Sequence, residues 1–347
     1  MDFQNRLPAE KLMTIPRVAD TGSSPVHFND TPLNVLVTGA TGFVGQNLVR
    51  ALLADGHSVV VLTRRSGPAR KLFEGKVLCI ESMQDLPFSH ALNLVVNLAG
   101  ARILGPRWTA ARKAVLLNSR LSVTRAVVDW IAAAPAPVKP ALFLSASAIG
   151  YYGIQPLESD AELDESTPPQ AIFMSQLCQQ WEAAAHVAAT HGVRTVAMRF
   201  GVVFGQHGGA LPMMLLPVRL GFGGRLGSGR QWQSWIHLHD LLRGIAHLWQ
   251  QSGRAGAMPG GEGAAHHADA INFTAPECPR QLAFSQTAAR LLHRPCFMPT
   301  PAFPMQCLLG EQADLLLQGQ RVVPARLQAS GFVFNYPTLQ GALEQIL

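Results

Sequence analysis

This sequence predicts an α/β fold: a Rossmann-type doubly wound parallel sheet with a smaller C-terminal, substrate-side lobe. Three observations predict it. Between residues 34 and 65 a short apolar run, Val35-Leu36-Val37, is followed by a glycine turn, a helical pattern and a second apolar run over 58–62. Further short apolar runs alternate with helical stretches as far as Phe200, the order that builds a parallel sheet with helices on both faces. From Pro295 onward the chain breaks into short apolar pieces divided by Pro301, Pro304, Pro324 and Pro337, which suits an appended lobe.

Each element has a local reason. Gly39, Gly42 and Gly45 follow the first strand at G-x-x-G-x-x-G spacing, and Val44, Leu48, Val49, Leu52 and Leu53 carry the helix until Asp55-Gly56 stops it. Residues 76–81 and 91–98 read as the third and fourth strands, the latter ending in Asn97-Leu98-Ala99-Gly100. Residues 107–131 read as a helix, the prolines of 135–140 break it, and 141–145 is a fifth strand. A polar loop over 158–170, a helix over 172–190 and a sixth strand over 194–200 follow. Helices are then expected at 211–220, 240–250 with Asp240 as N-cap, and 279–292, with a strand at 271–274. The organisation expected is a flexible leader (1–32), a dinucleotide-binding domain (33–250, with substrate-side segment 206–238), a disordered insert rich in Gly, Ala and His (251–270) and a small C-terminal domain (271–347).

Composition narrows the function classes. The 347 residues are 48% hydrophobic and 14% charged, enough to fill a large core. The formal charge of +6 comes from scarce acids rather than a basic run, so nothing points to nucleic acid. Five cysteines without C-x-x-C spacing suit reduced thiols in a cytosolic protein and no zinc site. No run approaches a membrane span, and residues 1–31 lack the apolar stretch of a signal peptide. His237-Leu238-His239-Asp240 has no further ligand cluster beside it, so no metal is expected.

The glycine turn carries the first chemistry. Gly39 permits a tight turn, Gly42 lets backbone approach a pyrophosphate, and Gly45 lets helix and strand pack closely. The free amides at the helix start face the phosphates, so Thr38, Thr41, Phe43 and Val44 join the candidate cofactor site. The second strand ends in Thr63-Arg64-Arg65, without the carboxylate that holds the ribose hydroxyls of NAD. Two guanidiniums there suit a 2′-phosphate, hence NADP(H); NAD(H) remains the alternative if Arg64 and Arg65 are only a solvated strand exit. The small-residue turn Asn97, Leu98, Ala99, Gly100 leaves room for cofactor above the strand ends, with Ser145 nearby and Arg120 on the flanking helix.

These residues resemble the extended short-chain dehydrogenase/reductase superfamily, and within it the epimerase-like subgroup that includes the bacterial protein YfcH. The resemblance runs from Asn34 onward. It rests on GATGFVG at 39–45, NLAG at 97–100, SASAIGYYG at 145–153, RFGVVFG at 199–205, GGALPMML at 208–215, LGSGRQWQSWIHLHD at 226–240 and GQRVVPARLQASGFVFNYP at 319–337. It implies an NADP-dependent oxidoreductase or nucleoside-diphosphate-sugar epimerase acting on a small substrate, and a homodimer through two helices, one of them carrying Phe173. The superfamily's proton-transfer machinery is Ser plus Tyr-x-x-x-Lys. Ser147 matches the serine, but Phe173 and Leu177 stand where the Tyr and Lys belong, and no lysine follows Lys139.

Two readings follow. In the favoured one an oxidoreductase has moved its proton donor to Tyr151 or Tyr152, beside Ser147, which suits simple reduction better than epimerisation. In the other the chain binds NADP(H) as a regulator or sensor without turnover. On the substrate side the loop 227–231 with Arg230 and Gln231 can clamp an anion, joined by Arg199 and Arg321, or its glycines only satisfy tight turns. Trp232 and Trp235 either stack on a flat substrate or fill the space between lobes. Glu182 is a candidate acid or an ion-pairing group, and Cys178 a small buried side chain.

Overall fold

The computed structural model describes residues 24–252 and 268–347. In chain order its strands are β1 (Asn34–Thr38), β2 (Ser58–Leu62), β3 (Leu78–Ile80), β4 (Leu94–Asn97), β5 (Leu142–Ala148), β6 (Arg194–Phe200), β7 (Val202–Phe204), β8 (Trp235–His237) and β9 (Ala268–Phe273). Seven form one parallel sheet in the order β3-β2-β1-β4-β5-β6-β9, and β7 and β8 pair separately. The helices are α1 (Phe43–Ala54), α2 (Ser66–Leu72), α3 (Ala110–Ala133), α4 (Phe173–His186), α5 (Leu211–Arg219), α6 (Leu238–Ser252), α7 (Gln281–Leu291), α8 (Ala302–Leu309), α9 (Asp314–Leu317), α10 (Ala325–Ala329) and α11 (Leu339–Ile346).

The strands are apolar on both faces because both faces are covered. On one face Val35, Val37, Val59, Val61, Leu142 and Leu144 pack against α1 and α6. On the other Leu36, Val60, Val95 and Phe143 pack against Val127, Val128 and Ile131 of α3 and Ala185 of α4. Along that second face the chemistry changes toward the strand C-termini. In register, Thr38 lies beside Asn97 and Asn97 beside Ser145. Two residues further on, Ser147 lies beside Arg199 and Arg199 beside Asn272. Side chains two apart share a face, so these polar groups form a continuation of the apolar layer. The chain reverses its strand order between β1 and β4, and the crevice beyond their C-terminal ends is where sheets of this kind bind ligands.

Several boundaries differ from the sequence reading. The strand expected to open the C-terminal domain is β9, the edge of the main sheet, paired with β6. The last residues of the expected leader are packed: Phe28 is fully buried against Trp249, and its amide donates to Asp55 at 2.6 Å. Residues 1–23, and 253–267 of the expected insert, lie outside the described residues. Asp240 is not the N-cap of α6, which begins two residues earlier. Its carboxylate accepts the amides of Asn335 and Tyr336 at 2.9 and 2.8 Å and so ties α6 to the C-terminal segment. Trp235 is fully buried and stacks on Phe204, centroids 5.1 Å apart and planes 14° apart. Its role is packing in the cluster that joins α5, α7 and α11, not contact with a flat substrate.

His237 shows how α11 is held. The ring is buried, and its Nδ1 accepts the His239 amide at 3.2 Å while Nε2 lies 3.0 Å from Gln345 Oε1. Only the neutral tautomer protonated on Nε2 serves both contacts. Burial, against the pull of Asp240 and Gln345, drives its pKa from 6.5 down to about 4. Between those values the unfolded chain binds more protons than the folded one, so stability is full above about 6.5 and falls as pH drops through the window. We expect the Tm to fall between about pH 7 and about pH 5, and His237→Gln to flatten that fall. A variant with the wild-type pH slope would place the acid sensitivity elsewhere.

Candidate functional site

The first turn of α1 forms the floor of the crevice. Gly39 has φ +65°, and a Cβ on it would stand 2.5 Å from the Leu98 carbonyl oxygen. At Gly45 a Cβ would stand 2.3 Å from the Gly39 carbonyl oxygen and 2.7 Å from the Ala40 Cα, so glycine there sets the close approach of α1 to the turn that follows β1. Gly42 donates to the Gly39 carbonyl at 2.9 Å and opens the helix in extended geometry. Thr41 and Gly42 are exposed, Phe43 and Val44 half-buried, and the first-turn amides have no helical acceptor. The loop after β7 passes over the Phe43 ring, where Cβ atoms on Gly205 and Gly209 would lie 2.9 and 3.0 Å from it. Arg64 and Arg65 are exposed at the end of β2 and form no ion pair among the described residues.

Behind the crevice a buried hydrogen-bond chain fixes the β4 turn. Thr38 Oγ1 donates to Asn97 Oδ1 at 2.6 Å, and Asn97 Nδ2 donates to Thr124 Oγ1 at 2.8 Å and Ser145 Oγ at 3.1 Å. The Ala99 amide donates back to Thr38 Oγ1 at 3.2 Å. Thr38, Asn97 and Ser145 are thus buried supports of the Leu98-Ala99-Gly100 turn. Arg120 lies under that turn, 6% exposed, donating to the Leu116 and Ala101 carbonyls at 2.8 and 3.1 Å, with Trp181 beneath its guanidinium. Burial draws its pKa down to about 10, and its Nε has no hydrogen-bond partner among the described residues.

The second polar row is a closed cluster. Ser147 Oγ donates to Glu182 Oε1 at 2.6 Å. Arg199 grips the same carboxylate with both sides of its fork, Nε to Oε1 at 2.9 Å and Nη2 to Oε2 at 2.8 Å. Its remaining Nη1 donates to Tyr152 Oη at 3.0 Å, and Tyr152 Oη donates to Asn272 Oδ1 at 2.7 Å. Burial opposes the Arg199 charge, but the bonds to Glu182 and Tyr152 outweigh it and raise the pKa, so the guanidinium is permanently charged. Burial pushes the Tyr152 hydroxyl up to about 12 and the Cys178 thiol to about 12. Tyr151 differs from its neighbour. It is half-buried, its hydroxyl makes no hydrogen bond among the described residues, and Arg199 Cζ stands 3.4 Å from its ring centroid.

The positions of the absent Tyr–Lys pair are apolar. Phe173 meets Trp108 edge-on at 5.2 Å, with Lys113 Nζ 4.9 Å from its centroid. Leu177 is buried among Leu116, Ala146, Cys178 and Trp181. Among the residues expected on the substrate side, Arg199 has its donors engaged inside the cluster, and Trp235 is in the core. Gln231 is buried, donating to the Leu226 and Leu316 carbonyls at 3.1 and 2.9 Å. Arg230 is exposed, 3.5 Å from Glu158, and the half-buried Arg321 pairs with Glu162 at 2.9 Å. Sequence reasoning missed Asn272 and Thr124. For Asn272 the signal was present, since a lone polar residue interrupts an otherwise apolar run over 270–273, in step with Ser147 and Arg199.

The buried pair predicts strong coupling. Glu182→Leu leaves the Arg199 charge buried and unpaired, and we expect a loss of about 3–5 kcal/mol in urea unfolding. Glu182→Leu combined with Arg199→Met restores a large part of it. Losses that simply add in the double variant would show that the two groups do not act as a pair.

Comparison with known proteins places this geometry. Residues 35–258 match the model of the NAD dependent epimerase/dehydratase family, and residues 300–346 match a domain of unknown function, DUF1731. The chain is 38% identical over 322 residues to the chloroplastic epimerase family protein SDR39U1 homolog of Arabidopsis thaliana, covering 92% of this chain and 88% of the relative. It is 36% identical to the epimerase family protein YfhF of Bacillus subtilis, covering 91% and 98%. The crystal structure of human epimerase family protein SDR39U1 with NADPH superposes with a TM-score of 0.76 at 34% identity, covering 90% of this chain and 99% of that one. A UDP-galactose 4-epimerase structure, 17% identical with a TM-score of 0.65, shares the fold. With its glycine turn, its seven-stranded sheet and a family match over most of its length, this chain belongs to the NAD dependent epimerase/dehydratase family.

Proposed function

We propose that this chain binds NADP(H) in the crevice above β1 and β4 and uses it to reduce the carbonyl of a small substrate, with Tyr151 giving the proton. The observation that carries the cofactor is the pair of exposed, acid-free guanidiniums of Arg64 and Arg65 beside a glycine-lined turn. The NADPH in the human relative's crystal structure supports the same reading. The amides of Gly42, Phe43 and Val44 hold the pyrophosphate, Arg64 and Arg65 the 2′-phosphate, and the Leu98-Ala99-Gly100 turn the nicotinamide side, kept in place from behind by Thr38, Asn97, Ser145 and Arg120. When bound, NADPH supplies the hydride.

The chain's own groups manage the proton. Tyr152 is engaged on both sides and does not donate to substrate. Tyr151 has a free hydroxyl, and Arg199 lies over the ring on which negative charge develops as the proton leaves. Ser147 directs its hydrogen to Glu182 and keeps lone pairs for the hydroxyl of the alcohol product. A second reading, NADP(H) binding without turnover, is favoured by Leu177, an apolar side chain where a lysine is needed.

Calorimetry and NADPH fluorescence separate these readings. NADPH is expected to bind more tightly than NADH, and Arg64→Ala to weaken NADPH by about tenfold or more, the worth of a charged hydrogen bond. Against a carbonyl panel, Tyr151→Phe is expected to slow NADPH oxidation by about 10²-fold or more while cofactor affinity holds. Tight binding without oxidation by any carbonyl selects the non-catalytic reading. Binding of neither nucleotide sinks both.

A further inference from the structure

Arg120 is a buried cation with no carboxylate bonded to it among the described residues. Its terminal nitrogens donate to the Leu116 and Ala101 carbonyls, and its Nε is left over. Carbonyls satisfy hydrogen-bond donors but do not neutralise a full charge. Trp181 lies beneath the guanidinium, with Cζ 5.0 Å from the ring centroid, and that ring is fixed by its own Nε1 donating to Thr124 Oγ1 at 3.1 Å. Above it is the β4 turn. A Cβ on Gly100 would stand 3.1 Å from Arg120 Cζ, so glycine there lets the guanidinium lie close against the turn.

Arg112 repeats the pattern two turns earlier on α3. Its Nη2 donates to the Arg102 carbonyl at 2.6 Å, and its Nε is also buried without a hydrogen-bond partner among the described residues. Neither arginine forms an ion pair among those residues, and the charge of Arg112 opposes that of Arg120. Glu311, on the C-terminal side, pairs with Lys113 instead. The other buried arginine of the region, Arg199, has Glu182 as its counter-charge. A charge buried without a carboxylate is costly to keep, and here it is kept beside the candidate cofactor crevice. Leu98, Ala101, Tyr151 and Phe173 all pack on the cluster of Leu116, Cys178 and Trp181 that surrounds it. With the cofactor bound as proposed, Arg120 is therefore on the nicotinamide side.

We propose that Arg120, reinforced by Arg112, makes the site discriminate between the two redox forms of its cofactor, holding NADPH more tightly than NADP⁺. The inference rests on the cofactor reading above. The two forms carry the same phosphates, so whatever the arginines contribute to holding the pyrophosphate is common to both. They differ at the ring. The reduced nicotinamide is neutral, and the oxidised one carries a positive charge that a guanidinium without a counter-charge repels through a poorly screening interior. Arg64 and Arg65 hold the 2′-phosphate in either form and so shift nothing between them. The consequence is a chain loaded with the hydride donor and ready to release the oxidised product. That is the charge balance of a reductase, whereas an epimerase begins its cycle with the oxidised ring and has to retain it. In a chain without turnover, the same selectivity reports the ratio of the two forms.

The test is calorimetric titration of NADPH and of NADP⁺ into the full chain, read as the ratio of the two dissociation constants. Wild type is expected to favour NADPH by about tenfold or more, and Arg120→Met to cut that ratio by about fivefold or more, even where both affinities change. Arg120→Lys, which keeps a cation at the position, should keep the ratio. Arg112→Met, at a half-buried position, should lower the ratio in the same direction, and it decides the question if the Arg120 variant does not fold. An arginine with a purely structural role would move the two affinities together and leave their ratio alone. Three results would each overturn the proposal while leaving the cofactor reading intact: a wild type that binds both forms equally or prefers NADP⁺, a ratio unchanged in the methionine variants, or a ratio that falls as far in Arg120→Lys as in Arg120→Met. Binding of neither nucleotide would sink the cofactor reading, and this proposal with it.

Discussion

The buried pair of Glu182 and Arg199 is the interaction on which the site depends. Both side chains are almost wholly inside the protein, 6% and 4% exposed. Burying two charges is costly, and their attraction offsets the cost only when the remaining donors and acceptors are satisfied. Here they are. Arg199 has Glu182 on Nε and Nη2 and Tyr152 on Nη1, and Glu182 also receives Ser147. The consequence is mechanical as well as electrostatic. Ser147 on β5, Arg199 on β6, Asn272 on β9 and Glu182 on α4 become one unit, and Tyr151 and Tyr152 take their places against it. A change at any member leaves a polar group unpartnered in a low-dielectric region, which is why such networks are rigid.

Much of this arrangement was legible in the residues. The glycine turn, the first six strands of the sheet and the main helices are local patterns, and they survive folding because both sheet faces demand short apolar runs. The polar ends of those runs were legible too. Thr38, Asn97, Ser145, Ser147 and Arg199 each close an apolar stretch, and their register follows from parallel pairing. What was not legible depends on distant partners. Nothing near Trp235 announces Phe204 as its stacking partner, and nothing near Tyr152 announces Asn272, 120 residues away. Asp240 has the spacing of an N-cap, yet it serves amides 95 and 96 residues on. Strand β9 is short and lies beyond a compositionally odd stretch, so its place at the sheet edge was hidden. Phe28 was hidden by the polar residues around it.

The absent Tyr–Lys pair is replaced by an apolar wall. Phe173, Trp108 and Leu177 line the region where a phenol and an ammonium would otherwise stand. Lys113 comes near Phe173, but its ammonium pairs with Glu311 at 2.5 Å. That pair belongs to a larger seam. The Gly105 amide donates to Gln312 Oε1 at 3.2 Å, and Gln312 Nε2 donates to the Pro106 carbonyl at 2.7 Å. The lysine nearest the expected position thus joins the start of α3 to the C-terminal side instead of entering proton chemistry. Burying apolar rings beside a nucleotide crevice excludes water, and it raises the worth of every charge that remains.

The cation beside the two tyrosines is Arg199. In the usual arrangement a lysine one helical turn from the tyrosine supplies the cation, and a flexible ammonium can reach both phenol and ribose. A guanidinium locked by Glu182 cannot move, so it can serve only a ring that comes to it. Tyr151 does so face-on, at 3.4 Å, while Tyr152 is held through its hydroxyl and lies 5.2 Å from the same carbon. The two adjacent tyrosines are therefore divided by geometry: one is fixed by hydrogen bonds, and the other sits beside a fixed cation with its hydroxyl unbonded among the described residues. A fixed cation is partly neutralised by the carboxylate that fixes it, so its field at Tyr151 is weaker than that of an unpaired lysine. Under the proposed chemistry that weakness favours giving a proton over taking one, and reduction over the two-way transfer an epimerase needs.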